Sequence, residues 1–297
     1  MTRPVEVPIR TTARRRIADE WALVLAAEGL TPRVWRVPEG YAVGVPEPDR
    51  TRAETALDAW ERENPDRPRE HSDRSAEPAP AHPAALPTGL AISTALLWFF
   101  AYTGPRRPDV AWFAQGSADA EKILTGEPWR LITALSLHAD AGHVVTNAVV
   151  GAFFITAVCR ILGPGVGAGL VVLAGAGGNL INAAVYGSQH ASVGASTAVF
   201  GAVGLLGGLG VSRWRRRGVR GRRVWIPVAA ALGLLAMLGT AGERVDLWAH
   251  LWGLLVGAAL GLPVGFRSTR PAGLGAQGFA GAATLAAVIG AWTLALR

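Results

Sequence analysis

The most constraining feature of this sequence is a long stretch almost without charge. Between His143 and Ser212 the only formally charged residue is Arg160. A water-soluble domain does not bury so long a segment, because its surface helices and strands each need a polar face toward solvent. The stretch therefore predicts a polytopic membrane protein. The overall content of charged residues, 17%, agrees with this prediction, since soluble domains average about 25%.

Seven segments of the chain have the length and composition of membrane spans. A transmembrane helix needs about 20 predominantly apolar residues. The predicted spans are 87–103, 143–162, 166–186, 196–212, 224–241, 247–266 and 275–295. The connection between the first two spans, residues 104–142, is long enough to carry short helices of its own. The predicted fold class is an all-α polytopic membrane protein with a small N-terminal α+β unit.

The N-terminal part of the chain has a different character. An amphipathic pattern over residues 12–29 predicts a helix, and alternating segments around Pro38-Glu39-Gly40 predict a β-hairpin. A second helix is expected from about Asp49 to Asn64. Residues 1–64 are thus predicted to form an α-β-β-α unit, followed by a flexible linker over 65–87 that is rich in Pro, Arg, Glu and Ala. The transmembrane domain would then cover residues 88–297.

The positive charge of the chain indicates its orientation. The formal net charge is +7, and basic residues are concentrated between Arg213 and Arg223, in the connection after the fourth span. Arginine-rich connections stay in the cytoplasm, so this distribution favours a topogenic loop over a nucleic-acid interface. Counting spans back from this loop predicts a cytoplasmic N-terminus. The single cysteine, Cys159, excludes an intramolecular disulfide.

Four polar residues lie at the beginnings of predicted spans: His143, Asn147, Ser196 and His250. Polar side chains in a bilayer are costly and mark functional sites. The second, fourth and sixth spans run in the same direction, so these residues should meet at one depth. His143 and Asn147 are four residues apart and share a helix face. Ser196 begins a helix, where unpaired backbone N–H groups and the helix dipole would stabilise an oxyanion.

Glycines follow the histidine of the sixth span at intervals of four residues: Gly253, Gly257 and Gly261. Such a stripe of small residues lets two transmembrane helices approach closely. A hydrogen bond of about 2.6–3.2 Å between Ser196 and His250 would require such an approach.

Four segments resemble the signatures of the rhomboid intramembrane serine proteases, specifically the bacterial type with six core helices and one additional helix. They are GEPWR (126–130), HADAGHVVTN (138–147), GASTAVFG (194–201) and AHLWGLLVG (249–257), in the order of the family. The resemblance covers roughly residues 88–266. It implies a rhomboid-like bundle in a bacterial plasma membrane and an endopeptidase without metal or organic cofactor. Its partners would be transmembrane protein substrates and the lipid bilayer, and no nucleic acid.

The resemblance also implies a role for individual residues. Ser196 would be the nucleophile and His250 the general base, while His143, Asn147 and the Ser196 N–H would bind the oxyanion. Supporting positions would be His138, Trp129, Arg130, Gly194, Phe200, Gly253 and Gly257. Two residues depart from the commonest pattern of the family. Thr197 stands where glycine is usual and adds bulk that would narrow the range of substrates. Phe200 replaces a frequent tyrosine but retains a ring that can stack on the histidine.

Other interpretations remain open from the residues alone. Ser196 taken by itself would serve as a helix N-cap, and a rhomboid-like protein can bind transmembrane helices without cutting them. A solute channel is disfavoured because the predicted spans contain no carboxylate and no obvious inverted repeat. A metal site built from His138, His143 and His190 lacks an accompanying carboxylate or thiolate on one helix face. Asp246, one turn before His250, receives no catalytic role.

Overall fold

A computed structural model describes residues 6–64, 82–107, 110–188, 190–216, 218–219, 221–238, 246–267 and 271–297. The chain divides into two compact units, Met1–Pro78 and Ala79–Arg297, called here the N-terminal unit and the membrane unit. Most of the predicted linker 65–87 lies outside the described residues, and its flexibility stays a prediction.

The N-terminal unit contains a three-stranded sheet and two helices. The elements in chain order are β1 (Glu6–Thr12), α1 (Arg15–Ala27), β2 (Arg33–Val37), β3 (Gly40–Pro46) and α2 (Arg50–Glu63). The sheet is antiparallel with the order β1-β3-β2. The predicted α-β-β-α order therefore omitted the first strand, β1. Pro8 interrupts the strand pattern of β1, and the pairing with β3 shifts register beside it, as proline permits in an edge strand.

Among the described residues, the membrane unit has six helices that are long and apolar enough to cross a bilayer. They are α3 (Ala85–Thr103), α7 (Ala141–Leu162), α8 (Pro164–Tyr186), α9 (Ser196–Arg216), α11 (Leu247–Arg267) and α12 (Leu274–Ala295). Each coincides with a predicted span to within a few residues. The all-α membrane fold with a small N-terminal α+β unit is thus confirmed.

The fifth predicted span, 224–241, is described as a shorter helix, α10 (Ile226–Leu238). Its 13 residues extend about 20 Å at 1.5 Å per residue, less than the roughly 30 Å of a hydrocarbon core. Residues 239–245 lie outside the described part of the chain. A complete crossing by this segment stays a prediction.

The connection between the first two long helices carries three short helices, α4 (Ala111–Gly116), α5 (Ala120–Leu124) and α6 (Arg130–Thr133). It also contains β4 (Ala118–Asp119), which pairs with β5 (Ala191–Ser192) just before α9. This two-residue ladder ties the connection to the segment that leads into α9. Asn179 of α8 donates from Nδ2 to the carbonyl oxygen of Leu131 at 3.0 Å and fixes α6 as well.

Helix α9 lies at the centre of the membrane unit, since most of its residues are buried. Its contact with α11 is called here the α9–α11 seam. A Cβ atom added at Gly253, Gly257 or Gly261 would overlap the backbone carbonyl oxygen of Thr197, Gly201 or Leu205, respectively. Both helices thus advance by four residues from one contact to the next, so they run parallel with their backbones in direct contact.

The C-terminal helix α12 is joined to the rest of the unit by polar groups. Gln277 Oε1 accepts hydrogen bonds from the Gly165 and Val166 N–H groups at 2.9 and 3.0 Å, and its Nε2 donates to Leu162 O at 2.7 Å. At the other end of α12, Trp292 Nε1 donates to Ser136 Oγ at 3.1 Å. The helix is therefore anchored both at the α7–α8 turn and beside the connection before α7.

Candidate active site

The start of α9 brings three predicted site residues together, and this end of the bundle is called the serine end. Gly194 has a φ of +135°, and its N–H donates to Ala134 O at 2.9 Å. A Cβ atom at this position would lie 2.7 Å from His143 Cε1, 2.8 Å from His143 Nε2 and 3.5 Å from Ser196 Oγ. Glycine is required here both by the backbone conformation and by the space that the histidine occupies. His143 and Ser196 are neighbours on either side of that space.

His138 holds the backbone just before the serine. Its side chain is fully buried, and its Nε2 accepts a hydrogen bond from the Ala195 N–H at 3.3 Å. The other ring nitrogen, Nδ1, donates to Ser136 O at 3.2 Å in the tautomer that this pairing requires. Burial lowers the pKa of His138 to about 4, with the neighbouring His143 as a second cause. A neutral imidazole thus fixes the loop that carries Ser196.

Helix α7 presents the two predicted oxyanion ligands. Asp140 caps this helix by accepting from the His143 N–H at 2.9 Å, which orients its first turn. Asn147 lies one turn further along and is buried. Its Nδ2 has no hydrogen-bond partner. A buried donor left unpaired costs about 1–3 kcal/mol, so such a group suits a site that a ligand completes.

His250 lies on α11 at the serine end of the α9–α11 seam. It lies one turn before Gly253. Gly253 in turn contacts Thr197, the residue that follows Ser196 in the chain. The buried Phe200 ring contacts the His250 imidazole with a centroid distance of 4.6 Å and an interplanar angle of 31°. Phe200 thus makes the ring contact with His250 that was expected of it.

Thr197, the second departure from the family pattern, packs into the helix junction. Its side chain is buried, and its methyl group Cγ2 would be 2.7 Å from a Cβ at Gly178 and 3.1 Å from one at Gly253. The extra bulk is thus accommodated by two glycines on α8 and α11. The predicted narrowing of the substrate range by this residue stays a prediction.

Trp129 and Arg130 belong to the connection before α7. Arg130 is only 3% exposed, and its guanidinium donates to Glu127 Oε2 at 2.6 Å, Ser117 O at 3.0 Å and Ala114 O at 2.9 Å. It therefore supports the fold of the connection around α4 and α6. The buried Nε1 of Trp129 has no partner. Neither residue is placed against Ser196 or His250 by the contacts described.

A polar network at the serine end was missed by the sequence analysis. His190, four residues before Gly194, pairs with Asp246 before α11, and Asn182 of α8 joins them. Asp246 stands one turn before His250 in the sequence, but no local spacing pairs it with His190, which is 56 residues away. No group of three His, Cys, Asp or Glu side chains in the described parts of the chain is arranged to hold a metal ion.

Comparison with known proteins matches residues 125–267 to the rhomboid domain family. YdcA of Bacillus subtilis, named as a candidate rhomboid protease, is 30% identical over 168 residues, which cover 56% of this chain and 81% of YdcA. The rhomboid protease GluP of the same organism is 33% identical over 156 residues, 50% of this chain and 29% of GluP. Rhomboid-like protease 1 of Toxoplasma gondii is 31% identical over 141 residues, 47% of this chain and 48% of that protein. The matched family domain includes every predicted site residue.

Proposed function

Because the chain belongs to the rhomboid family, we propose that it is an intramembrane serine endopeptidase with Ser196 as nucleophile and His250 as general base. Its six long apolar helices and its family make it an integral multi-pass membrane protein. Its substrates are membrane proteins that carry a transmembrane segment. No metal or organic cofactor takes part in the proposed reaction.

The observation that carries this proposal is the cluster at the serine end. His143 and Ser196 flank the space above Gly194, and the Phe200 ring on α9 packs against the His250 imidazole. Helices α7, α9 and α11 thus each contribute to one place. An N-cap serine alone would not require a histidine beside it, an unpaired buried amide on the adjacent helix and a second histidine on the seam.

In the proposed reaction, Ser196 Oγ attacks the carbonyl carbon of the scissile peptide bond while His250 takes the hydroxyl proton. The negative charge that forms on the carbonyl oxygen is stabilised by donors from Asn147, His143 and the Ser196 backbone. His250 then passes the proton to the leaving amine. Water, activated in turn by His250, hydrolyses the acyl-enzyme and restores the serine.

The location of the site limits the substrates. A transmembrane helix hides its carbonyl groups in internal hydrogen bonds, so segments with helix-breaking residues near the serine end are expected to be cut faster. The arginines between Arg213 and Arg216 end α9 at the opposite side of the bundle. By the positive-inside rule, that side and the N-terminus face the cytoplasm of a bacterial cell, and the serine end faces outward.

The test is cleavage of a fluorogenic transmembrane peptide by the full-length protein in proteoliposomes. Ser196→Ala and His250→Ala are expected to reduce cleavage to background. Ser188→Ala is the matched control, since Ser188 is an exposed serine on the segment that precedes α9. Asn147→Ala is expected to lower kcat by about 10²–10³, the usual effect of removing one oxyanion donor.

Labelling with a fluorophosphonate provides a second measurement on the same proteins. Wild type and Ser188→Ala should be labelled covalently, and Ser196→Ala should not. If wild type and Ser196→Ala cut several peptides at the same rate and label alike, the protease function is wrong.

A further inference from the structure

Asp246 connects three segments of the serine end through its two carboxylate oxygens. Oδ1 accepts a hydrogen bond from the Ala249 N–H at 3.0 Å and so caps the first turn of α11. Oδ2 lies 2.6 Å from His190 Nε2 and accepts from Asn182 Nδ2 at 2.9 Å. The carboxylate thus joins α8, the segment before α9 and the start of α11.

His190 is itself held by its surroundings. Its carbonyl oxygen accepts a hydrogen bond from the Ala120 N–H at 2.9 Å, at the beginning of α5. Its ring stacks on Tyr186 with a centroid distance of 4.0 Å and an angle of 9° between the planes. The side chains of His190 and Asp246 are only 25% and 15% exposed. The contact between His190 Nε2 and Asp246 Oδ2, called here the bridge, therefore joins two constrained groups. In this it differs from an exposed ion pair between long, mobile side chains.

The bridge continues the register of the α9–α11 seam. His190 and Asp246 are separated by 56 residues. The same separation relates Thr197 to Gly253 and Gly201 to Gly257, where the backbones touch. The bridge thus adds one contact beyond the serine end of the seam. There, His190 lies in the non-helical segment that precedes α9.

The proposed catalytic pair of Ser196 and His250, called here the dyad, lies directly beside this contact. The His250 N–H donates to Asp246 O at 3.2 Å, so the capped turn of α11 includes the backbone of the histidine. On the other side, six residues lead from His190 to Ser196 through β5, whose residues pair with β4. A shift of α11 along α9 would move His250 relative to Ser196, and the bridge resists such a shift.

We propose that Asp246, His190 and Asn182 are positioning residues that set the register of α11 against α9 and thereby hold His250 in reach of Ser196. The proposal rests on the proposed function for its catalytic consequence. Asp246 acts through the backbone of α11 and has no part in proton transfer. A misplacement of about 1 Å at a catalytic site can lower the rate about 10²-fold, so a device that fixes helix register has a large effect on kcat.

The first experiment measures kcat and KM of the full-length protein in proteoliposomes. His190→Ala should lower kcat by about 10- to 100-fold with KM within about twofold, because the substrate contacts remain while the dyad is misaligned. His190→Gln retains an N–H donor near the position of Nε2 and should restore kcat to within about threefold of wild type.

Asp246→Asn tests the contact with His190 separately from the cap of α11. The asparagine still accepts from the Ala249 N–H, but its amide then faces the Asn182 donor and His190. A kcat loss similar to that of His190→Ala is expected, together with a lower Tm because the buried Asn182 donor loses its acceptor. Asp119→Ala is the matched control, since Asp119 also caps a helix, α5, by accepting from the Lys122 N–H at 3.1 Å. It should leave kcat unchanged.

A double-mutant cycle and hydrogen exchange complete the test. If the two residues act through one contact, His190→Ala combined with Asp246→Asn should cost no more than the more severe single variant. Amide exchange of residues 247–253 should be faster in His190→Ala than in wild type, and Asp119→Ala should match wild type. A wild-type kcat in His190→Ala, or losses that multiply in the double variant, overturns the positioning role. Faster exchange in a protein whose wild type cuts nothing supports the positioning role while the proposed function fails.

Discussion

The N-terminal unit is held together by large apolar side chains, whereas the centre of the membrane unit is lined by glycine. Leu25 and Leu57 are fully buried in the N-terminal unit and pack with the side chains of its helices and sheet. On the α9–α11 seam, Gly253 and Gly257 leave no room for even a Cβ atom beneath the opposite backbone. The two regions bury their surfaces by different means.

The physical reason is the solvent around each region. In water, burying apolar area is the dominant favourable contribution, and large side chains supply most of it. In lipid, an apolar side chain gains little by leaving the hydrocarbon, and helices associate through close backbone packing and polar contacts. The membrane helices accordingly expose large apolar residues, such as Trp98 at 69% and Phe153 at 70%. Large apolar residues therefore cover the outside of this unit, and small residues line the α9–α11 seam at its centre.

The largest effect is expected where the seam is broken by a single methyl group. Gly257→Ala places a Cβ against the carbonyl oxygen of Gly201, and separating the two backbones should cost more than about 3 kcal/mol, above the usual range for overpacking. The measurement is thermal unfolding of the full-length protein together with peptide cleavage. Gly290→Ala on α12 is the control, because nothing lies within 4 Å of its added Cβ. Equal Tm values for the two variants would contradict the role given to the seam.

In the N-terminal unit, the large effect is expected from removing a buried side chain and not from adding one. Leu25→Ala should destabilise this unit by about 3 kcal/mol, through lost apolar burial and the cavity left behind. Hydrogen exchange of residues 6–64 in the full-length protein measures the change. Leu23→Ala on the same helix serves as the control, since Leu23 is 71% exposed. Similar exchange in both variants would mean that side-chain burial does not stabilise this unit.

A buried polar group in the membrane unit predicts a pH dependence. The pKa of His138 is lowered from 6.5 to about 4, so the unfolded chain binds a proton more readily than the folded one, and stability falls as the pH drops below 6.5. The loss between pH 7 and pH 5 should be about 2 kcal/mol. Thermal unfolding across this range tests it, and His138→Gln should show a flatter profile. A wild-type profile identical to that of the variant would refute this assignment.

The smallest effect is expected for an exposed ion pair. Arg50 and Glu54 on α2 are 3.2 Å apart, with side chains 52% and 41% exposed. Arg50→Ala should destabilise the N-terminal unit by only about 0.3–0.5 kcal/mol, because water screens the pair. Hydrogen exchange of residues 50–63 would detect a larger loss. If Arg50→Ala destabilised the unit more than Leu25→Ala, surface charge would contribute more to its stability than apolar burial, contrary to this prediction.

The membrane fold was largely predictable because its signals are local. Length and hydropathy located the long helices to within a few residues, and spacing of four placed Gly253, Gly257 and Gly261 on one helix face. Strand β1 was missed because Pro8 hides its pattern, and its pairing with β3 is a long-range contact. The fifth span was expected to be longer than the described helix Ile226–Leu238.

The candidate site likewise combines positions that the sequence predicted with contacts that it did not predict. The motifs predicted that Ser196, His143, Asn147 and His250 lie at the beginnings of three helices, since each position follows from the span boundaries. They did not predict that Arg130 is enclosed by Ala114, Ser117 and Glu127. That arrangement depends on how an irregular connection folds on itself, which periodicity does not encode.

By itself, the sequence determined that the chain enters a membrane, which segments are long enough to cross it, and which polar residues stand at helix starts. These properties depend on the solvent preference of each segment and on the helical repeat, both of which are local. Only the tertiary structure decided that His190 and Asp246 meet at 2.6 Å and that Thr197 fits beside Gly178. Such contacts join segments that are far apart in the chain, so they depend on how the helices pack and not on the local pattern of any one segment.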